Sequence, residues 1–344
     1  MTAWTVGVDL GGTNLRVAAF AQLAEHARAA QAEGSARELA PAAWQRRPVG
    51  DDRAVETVIE MIATAVDDVI EAAGADPDAD IAVGIGIAAM LADRRGTVAR
   101  SPHLDWTEVA FGPAMAARLG GRRPLGVYND VNAIAYGEYG VGAGAGARDV
   151  LVAFVGTGIG GGLVVDGHLV EGATNCAGEL GHVKVVLGPD AAPCACGGRG
   201  CVEAYAGGTY LQRRARAELA AGAASAAIAL AGGDPHRVHP GHVDRAAAVG
   251  DAWATALWAE VAPLLALALG NAVTVLNPER LVLGGGMLGN TPTLRARVIE
   301  ALDDVCPVAL RRPLTVVDAA LADDAGIIGA ALLAAHGVSL IEPA

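Results

Sequence analysis

The sequence predicts an α/β protein of two related lobes with a cleft between them. Three observations lead there. Apolar strand-like runs alternate with segments of helical periodicity along the whole chain. Each half opens with an apolar strand, a glycine turn carrying a threonine, and a second apolar strand, at Trp4 to Phe20 and at Val150 to Gly172. These two copies lie about 145 positions apart, a usual domain length, in a chain of 344 residues.

Trp4 to Phe20 reads as two strands around Gly11-Gly12, with alternation at Leu15, Val17 and Ala19. Ala54 to Ala73 has helical spacing at Val55, Val58, Ile59, Ile62, Val66 and Ile70. "DIAVGIGIAAM" is a buried strand, Ala110 to Leu119 a helix, and "PLGVYNDVNAIAYGEYG" a strand meeting a helix at Asn129-Asp130. Thr209 to Ala231 and Val243 to Leu269 read as long Ala-rich helices, and the apolar stretch Val261 to Leu276 as a buried helix running into a strand. "PERLVLGGGML" is a strand entering a triple-glycine turn, and "DDAGIIGAALLAAHG" a closing helix of small residues.

Composition removes several function classes. The chain is 53% hydrophobic and 18% charged, ample for buried cores. Its net charge of −13, from 25 basic and 38 acidic residues, leaves no cationic face for duplex nucleic acid. An anionic nucleotide is still bindable when backbone N–H groups and a divalent cation carry the charge. Val261 to Leu276 falls short of the roughly 18 uninterrupted apolar residues of a membrane span, and Asn271 interrupts it. No basic start followed by an apolar run opens the chain, so no signal peptide is expected. Five cysteines, three of them clustered, do not make a secreted disulfide framework, which points to the cytoplasm.

Five motifs carry chemistry. In Asp9-Leu10-Gly11-Gly12-Thr13-Asn14, adjacent glycines let backbone N–H groups approach a phosphate, and Asp9 can hold Mg²⁺ through water. The alternative is an ordinary hairpin turn. Gly156-Thr157-Gly158-Ile159-Gly160-Gly161-Gly162 spends five glycines in seven positions, which a phosphate or a close backbone crossing would offset. A strand rather than a helix follows it, so it is no dinucleotide fingerprint. Gly284-Gly285-Gly286 offers a flat surface for a nucleobase or ribose. No Walker A sequence occurs, and Lys184 is the only lysine, so Mg²⁺, backbone dipoles and arginine are left to neutralise phosphate charge. Asn129-Asp130 at a strand's C-terminal end is either an N-cap or a ligand-binding pair whose Asp130 stays ionised at the helix N-terminus. Finally, Glu179 and His182 precede Cys194, Cys196, Cys201 and Glu203. Three cysteines and one histidine are the closed tetrahedral donor set of structural zinc, and C-x-C is not a redox C-x-x-C. Cys176 and Cys306 read as plain buried thiols.

Together these residues resemble the ROK family of sugar kinases and related repressors. "DLGGTNLRV", "YNDVNAIAYGE", "VGTGIGGGLVVDG", "GELGH", "CACGGRGCVE", "LNPERLVLGGGM" and "DDAGIIGAALLA" occur in the family's order and span almost the whole chain, with bacterial glucokinases of the family most similar. The resemblance implies an actin/hexokinase-like fold of two RNase H-like lobes and ATP-dependent phosphorylation of a hexose 6-hydroxyl. It implies phosphate binding at Gly11, Gly12, Thr13, Thr157 and Gly158, and adenosine near Gly284 to Gly286. It makes Asp130 the catalytic base beside Asn129, and puts Glu179, His182 and Glu203 near the sugar's O1 and O2. Many members carry Pro-Gly where this chain has Ala88-Ala89, and an acid where it has Ala92, so a Cβ at Ala89 stands against the sugar. That departure bears on which hexose is preferred: glucose, mannose, fructose or an N-acetylhexosamine. The expected division is residues 1–124 plus the C-terminal helix 326–344 as a small lobe, and 125–325 as a large lobe with the zinc loop.

Three thiolates, a neutral imidazole and Zn²⁺ sum to a charge of −1, which suits a structural metal that fixes His182 rather than a Lewis acid. A sugar-responsive repressor of the same family is the rival from another class. Such repressors carry a helix-turn-helix domain first, and a phosphate turn starting at Asp9 leaves no room for one. A sugar-binding pseudo-enzyme rests on Ala88-Ala89 alone. The expected ligands are hexose, ATP with Mg²⁺ and structural Zn²⁺, with no nucleic acid, no membrane, and a homodimer or homotetramer.

Overall fold

The computed structural model describes residues 4–76, 79–121 and 123–341. Its strands are β1 (Trp4–Leu10), β2 (Asn14–Ala21), β3 (Ala43–Pro48), β4 (Ile81–Ile87), β5 (Met90–Leu91), β6 (Val98–Ser101), β7 (Trp106–Val109), β8 (Leu125–Asn129), β9 (Val150–Val155), β10 (Ile159–Val165), β11 (His168–Leu169), β12 (Arg280–Gly284), β13 (Thr315–Asp318) and β14 (Leu340–Ile341). Its helices are α1 (Leu23–Glu33), α2 (Val55–Ala72), α3 (Phe111–Arg118), α4 (Asp130–Gly140), α5 (Glu203–Ala206), α6 (Gly208–Ala220), α7 (Ala226–Leu230), α8 (Pro240–Ala248), α9 (Ala252–Leu276), α10 (Gly286–Gly289), α11 (Pro292–Val305), α12 (Val308–Arg311) and α13 (Ala325–Ala335).

The first sheet has the order β14-β8-β4-β1-β2-β3, and the second β11-β10-β9-β12-β13. A third, three-stranded sheet has the order β5-β6-β7. Leaving out β14, each of the two large sheets reads third-second-first-fourth-fifth in its own chain order. The likeness seen at the glycine turns therefore extends to the whole sheet. In the first sheet β1, β4 and β8 run parallel, while β2 pairs antiparallel to β1 with Leu10 opposite Leu15 at the turn. All seven residues of β4 are buried, as expected of a central parallel strand without alternation.

By their contacts the residues form two compact units, 1–150 with 162–178 and 319–344, and 151–161 with 179–318. The C-terminal helix goes with the N-terminal residues. Residues 125–150 and 162–178 also go with them, although the predicted large lobe contained both. The reason is α13. It packs on β1, β4 and α4, and its small residues let backbones meet. A Cβ on Gly7 or Gly84 would overlap α13 carbonyls, and one on Gly329 would overlap the Ala133 carbonyl of α4.

Two helix readings change. Thr209 to Ala231 is not one helix: α6 stops before Gly222, whose φ of 105° no L side chain adopts easily, and α7 restarts after the Ser225 cap. Likewise the helix expected from Val243 breaks between α8 and α9 at Gly250 (φ 82°), and Asp251 caps α9 through the Ala254 N–H. The strand expected within Val261 to Leu276 is helical throughout. Val273, Thr274 and Val275 stay in α9, the Thr274 hydroxyl donates to the Gly270 carbonyl at 2.7 Å, and Asn277 ends the helix at φ 48°. Among the described residues α9 is the one helix long and apolar enough to cross a membrane, and it packs against α8 and α11.

Candidate active site and metal centre

In the first unit, the Gly11 N–H donates to the Asn14 carbonyl at 3.0 Å and closes the turn between β1 and β2. A Cβ on Gly12 would come within 2.7 Å of the His103 side chain, so packing also requires this glycine. Thr13 stands exposed at the tip. Three arginines ring the turn. Arg53 Nη1 donates to the Gly12 carbonyl at 2.7 Å, and Arg46 Nε to Asn14 Oδ1 at 3.0 Å. Arg16, opposite Asp9 in the β1–β2 register, donates to Asp9 Oδ2 from Nε at 3.0 Å and Nη2 at 2.6 Å. Burial raises the Asp9 carboxyl above its usual range, Arg16 opposes that, and Asp323 adds to it. None of these arginines was marked by a sequence motif, and the chain's single lysine was the one pointer toward arginine here.

At the end of β8, Asn129 is the N-cap of α4. Its Oδ1 accepts from the Val131 and Asn132 N–H groups at 2.9 and 3.2 Å, and its Nδ2 donates to the Ala89 carbonyl at 3.1 Å. Asp130 opens α4, half-buried, with Oδ1 accepting from the Val131 N–H at 2.9 Å. Ala89 is buried, and the segment is held by the Ala88 N–H on the Leu10 carbonyl and Ser101 Oγ on the Ala88 carbonyl at 2.9 Å. Asp93, the acid next to Ala92, closes its own turn on Arg95 and Thr97. Cys176 is half-buried rather than buried, its thiol donating to the Leu91 carbonyl, whereas Cys306 is buried.

In the second unit the glycine turn after β9 meets Glu203. Glu203 Oε2 accepts from the Ile159 N–H at 2.8 Å, and a Cβ on Gly158 would lie 2.6 Å from that oxygen. Gly158 is thus small so that the carboxylate can close on the turn. Gly162, grouped with the first unit, is small because a Cβ there would overlap Ala135 of α4. Gly285 takes φ 95°, and a Cβ there would come within 2.5 Å of the Val155 carbonyl oxygen, while one on Gly286 would face open space. Between these turns lies a cavity of about 780 Å³, bordered by Thr157, Gly286, Gln212 and Thr209 of α6, and His239 and Arg245 at α8. That volume suits a small organic ligand. His239 and His242 stack at 3.6 Å between centroids, and burial, with Arg245 nearby, holds both rings below the usual histidine range. The members from α6 and α8 carry no sequence motif, because segments far apart in the chain build this wall.

The metal donors are brought together. One donor atom each from His182, Cys194, Cys196 and Cys201 lies within 4.8 Å of every other. Cys194 Sγ is 3.7 Å from His182 Nδ1, and Cys196 Sγ is 3.7 Å from Cys201 Sγ. A tetrahedral zinc with Zn–S of about 2.3 Å has an S···S edge of about 3.8 Å, so the donor set fits Zn²⁺. The loop is braced from outside, the Ala192 and Ala195 N–H groups donating to the Tyr205 and Tyr210 hydroxyls at 2.7 and 2.8 Å. With Nδ1 turned to the cluster, His182 Nε2 lies 3.9 Å from Glu179 Oε2. Burial raises the Glu179 carboxyl, with His182 opposing and Glu203 adding. Burial likewise pushes the Cys194 thiol up to about 11.

The ROK family, as a sequence model, matches residues 5–336. A glucokinase of Streptomyces coelicolor is 32% identical over 334 residues, covering 96% of this chain and 97% of its own. The crystal structure of a ROK family glucokinase from Streptomyces griseus in complex with glucose and AMPPNP has a TM-score of 0.73 to this chain at 31% identity, covering 97% of this chain and 99% of that one. A xylose repressor of Caldicellulosiruptor bescii is 27% identical over 236 residues, 69% of this chain and 57% of its own. With the two like sheets, the fold is the actin/hexokinase-like one that the sequence predicts.

Proposed function

Because the chain belongs to the ROK family, we propose that it is an ATP-dependent kinase of a hexose 6-hydroxyl, with D-glucose as the hexose. One observation carries this reading. The second glycine turn presents Thr157 to the cavity and, through the Ile159 N–H, fastens the Glu203 carboxylate at 2.8 Å. A single loop thus joins the phosphate-donor side to the sugar side. The likeness to glucokinases, one of them in complex with glucose and AMPPNP, supports the choice of substrates.

Phosphoryl transfer passes through a loose transition state, so positioning and charge neutralisation supply most of the catalysis. Asp130, at the N-terminus of α4, holds the 6-hydroxyl in line and takes its proton as that oxygen bonds the γ-phosphorus and the bond from the γ-phosphorus to the β–γ bridging oxygen breaks, releasing ADP. Asn129, fixed by its cap and by Ala89, sets a neighbouring hydroxyl beside it. Glu179, His182 and Glu203 hold the sugar near O1 and O2, and Ala89 borders it. Gly11, Gly12, Thr13 and Asn14, ringed by Arg16, Arg46 and Arg53, receive phosphate on the first unit and Thr157 and Gly158 on the second, while Gly284 to Gly286 border adenosine. Asp9 would hold Mg²⁺ through water, and the ion would supply neutralising charge on the phosphates. His182 Nδ1, Cys194, Cys196 and Cys201 would hold Zn²⁺, which would supply rigidity and leave His182 Nε2 to face the sugar with Glu179. We expect a cytoplasmic homodimer or homotetramer, which light scattering reads.

The test is coupled ADP release with Mg-ATP across glucose, mannose, fructose and N-acetylhexosamines. The highest kcat/KM should fall on glucose. Preference for another hexose would move the substrate but keep the kinase. Sugar binding by calorimetry without ADP release would favour the regulator reading instead.

A further inference from the structure

We infer that Lys184 is a positioning residue of the metal cluster: its ammonium donates to the Cys201 sulfur and offsets the cluster's negative charge. This rests on the reading of His182, Cys194, Cys196 and Cys201 as a zinc site. Three observations carry it. Lys184 and Cys201 form an antiparallel bridge, flanked by the Val185 N–H on the Gly200 carbonyl and the Val202 N–H on the Val183 carbonyl, both at 2.9 Å. Residues directly opposite in such a pair send side chains to one face. The side chains do meet: Lys184 Nζ lies 2.8 Å from Cys201 Sγ. The place for the ammonium is kept open by Gly198, where a Cβ would come within 2.7 Å of Nζ and 3.5 Å of Cys196 Sγ.

The charge arithmetic gives this placement a purpose. Three thiolates, a neutral imidazole and Zn²⁺ total −1, and one ammonium brings the assembly to zero. A hydrogen bond to a coordinated sulfur also fixes the direction of its lone pairs, as outer partners fix first-sphere ligands. The chain spends its only lysine here, among 25 basic residues. A compact ammonium suits a contact beside Gly198 better than a planar guanidinium.

The experiment follows zinc rather than turnover. Purified holoprotein is analysed for zinc, then mixed with a chelator in excess while released zinc is read with a colorimetric indicator. Wild-type protein should hold one equivalent. Lys184→Met should hold zinc roughly 10- to 100-fold less tightly, the usual scale for an outer-sphere partner, and release it measurably faster, with Lys184→Arg recovering part of the loss. Equal release rates for wild type and Lys184→Met would overturn the role of Lys184 and leave the zinc reading standing. A wild-type protein without zinc would overturn both. A second measurement needs no variant. Lys184 is the chain's only side-chain amine, so its acetylation by an amine-reactive ester, read by peptide mass spectrometry, should be slower with zinc bound than after chelation. Equal rates would also count against the contact.

Discussion

Asp130 and Asn129 sit side by side with different local duties, and that difference makes a sharp prediction. Asn129 is held at both ends of its amide, by the α4 N–H groups and by the Ala89 carbonyl. Removing it therefore mixes local unfolding with any effect on sugar. Asp130 Oδ1 accepts from its own neighbour's N–H, a contact the amide oxygen of asparagine reproduces. Asp130→Asn should keep fold and sugar affinity, as circular dichroism and calorimetry read them, and lower kcat roughly 10²- to 10⁴-fold, the usual worth of a positioned general base. An Asp130→Asn protein with near wild-type turnover would refute the base assignment. At this scale the chain was readable where chemistry is local. The Asn-Asp pair at a strand end and the cysteines within eight residues are short-range signals. The arginines around the first turn were not readable. Arg16 meets Asp9 only once strand register sets them opposite, and Arg53 reaches Gly12 from 41 positions away.

Small residues decide the elements. The hydrophobic pattern of α13 is nearly all apolar and shows no preferred face, because β1, β4 and α4 surround it. α13 approaches the sheet closely where Gly7 and Gly84 lack a Cβ, and approaches α4 closely where Gly137 and Gly329 lack one. Gly329→Ala places a methyl into the Ala133 carbonyl and should destabilise the first unit by about 3 kcal/mol, the upper range for overpacking. Gly289→Ala in α10 meets nothing within 4 Å and should change stability little. Urea unfolding of the two variants compares them, and equal midpoints would remove close packing as the reason for the glycine. Periodicity located most elements but not their ends. The break between α8 and α9 lies in one glycine's φ and one aspartate cap inside an Ala-rich stretch, whereas the β-branched end of α9 looks like a strand and stays helical. Thr274 and Val275 are exposed there, so the hydrogen bonds of the last turn, from the Thr274 hydroxyl to the Gly270 carbonyl and from the Asn277 N–H to the Val273 carbonyl, hold the helix against β propensity.

At the scale of the whole molecule, the order third-second-first-fourth-fifth in both sheets was foreshadowed only by two like hairpins, since crossover order is not written in local sequence. The return of the chain's end to the first unit has a consequence for pH. His336, just past α13, shares a 2.8 Å hydrogen bond between its Nδ1 and the Tyr136 hydroxyl of α4, and the two rings meet edge to face. The following residues are fastened by Tyr128 Oη on the Val338 carbonyl and by Ser339 Oγ on Glu171. Burial, and secondarily Arg28, lowers the His336 pKa from its ordinary 6.5, while burial pushes the Tyr136 phenol up to about 12. In the unfolded chain His336 takes up a proton near pH 6.5, and in the folded chain it resists doing so. The unfolded state then binds more protons, so this contribution is complete above pH 6.5 and is lost as the pH falls through that value toward the lower folded pKa. Other histidines titrate in the same range, so the test is a difference. Wild type and His336→Gln are unfolded in urea at pH 8 and pH 5.5. The stability gap between them should be larger at pH 8 and shrink at pH 5.5, because only wild type carries the buried imidazole. A gap that stays constant across the two values would show that His336 is protonated as readily in the folded chain as in the unfolded one.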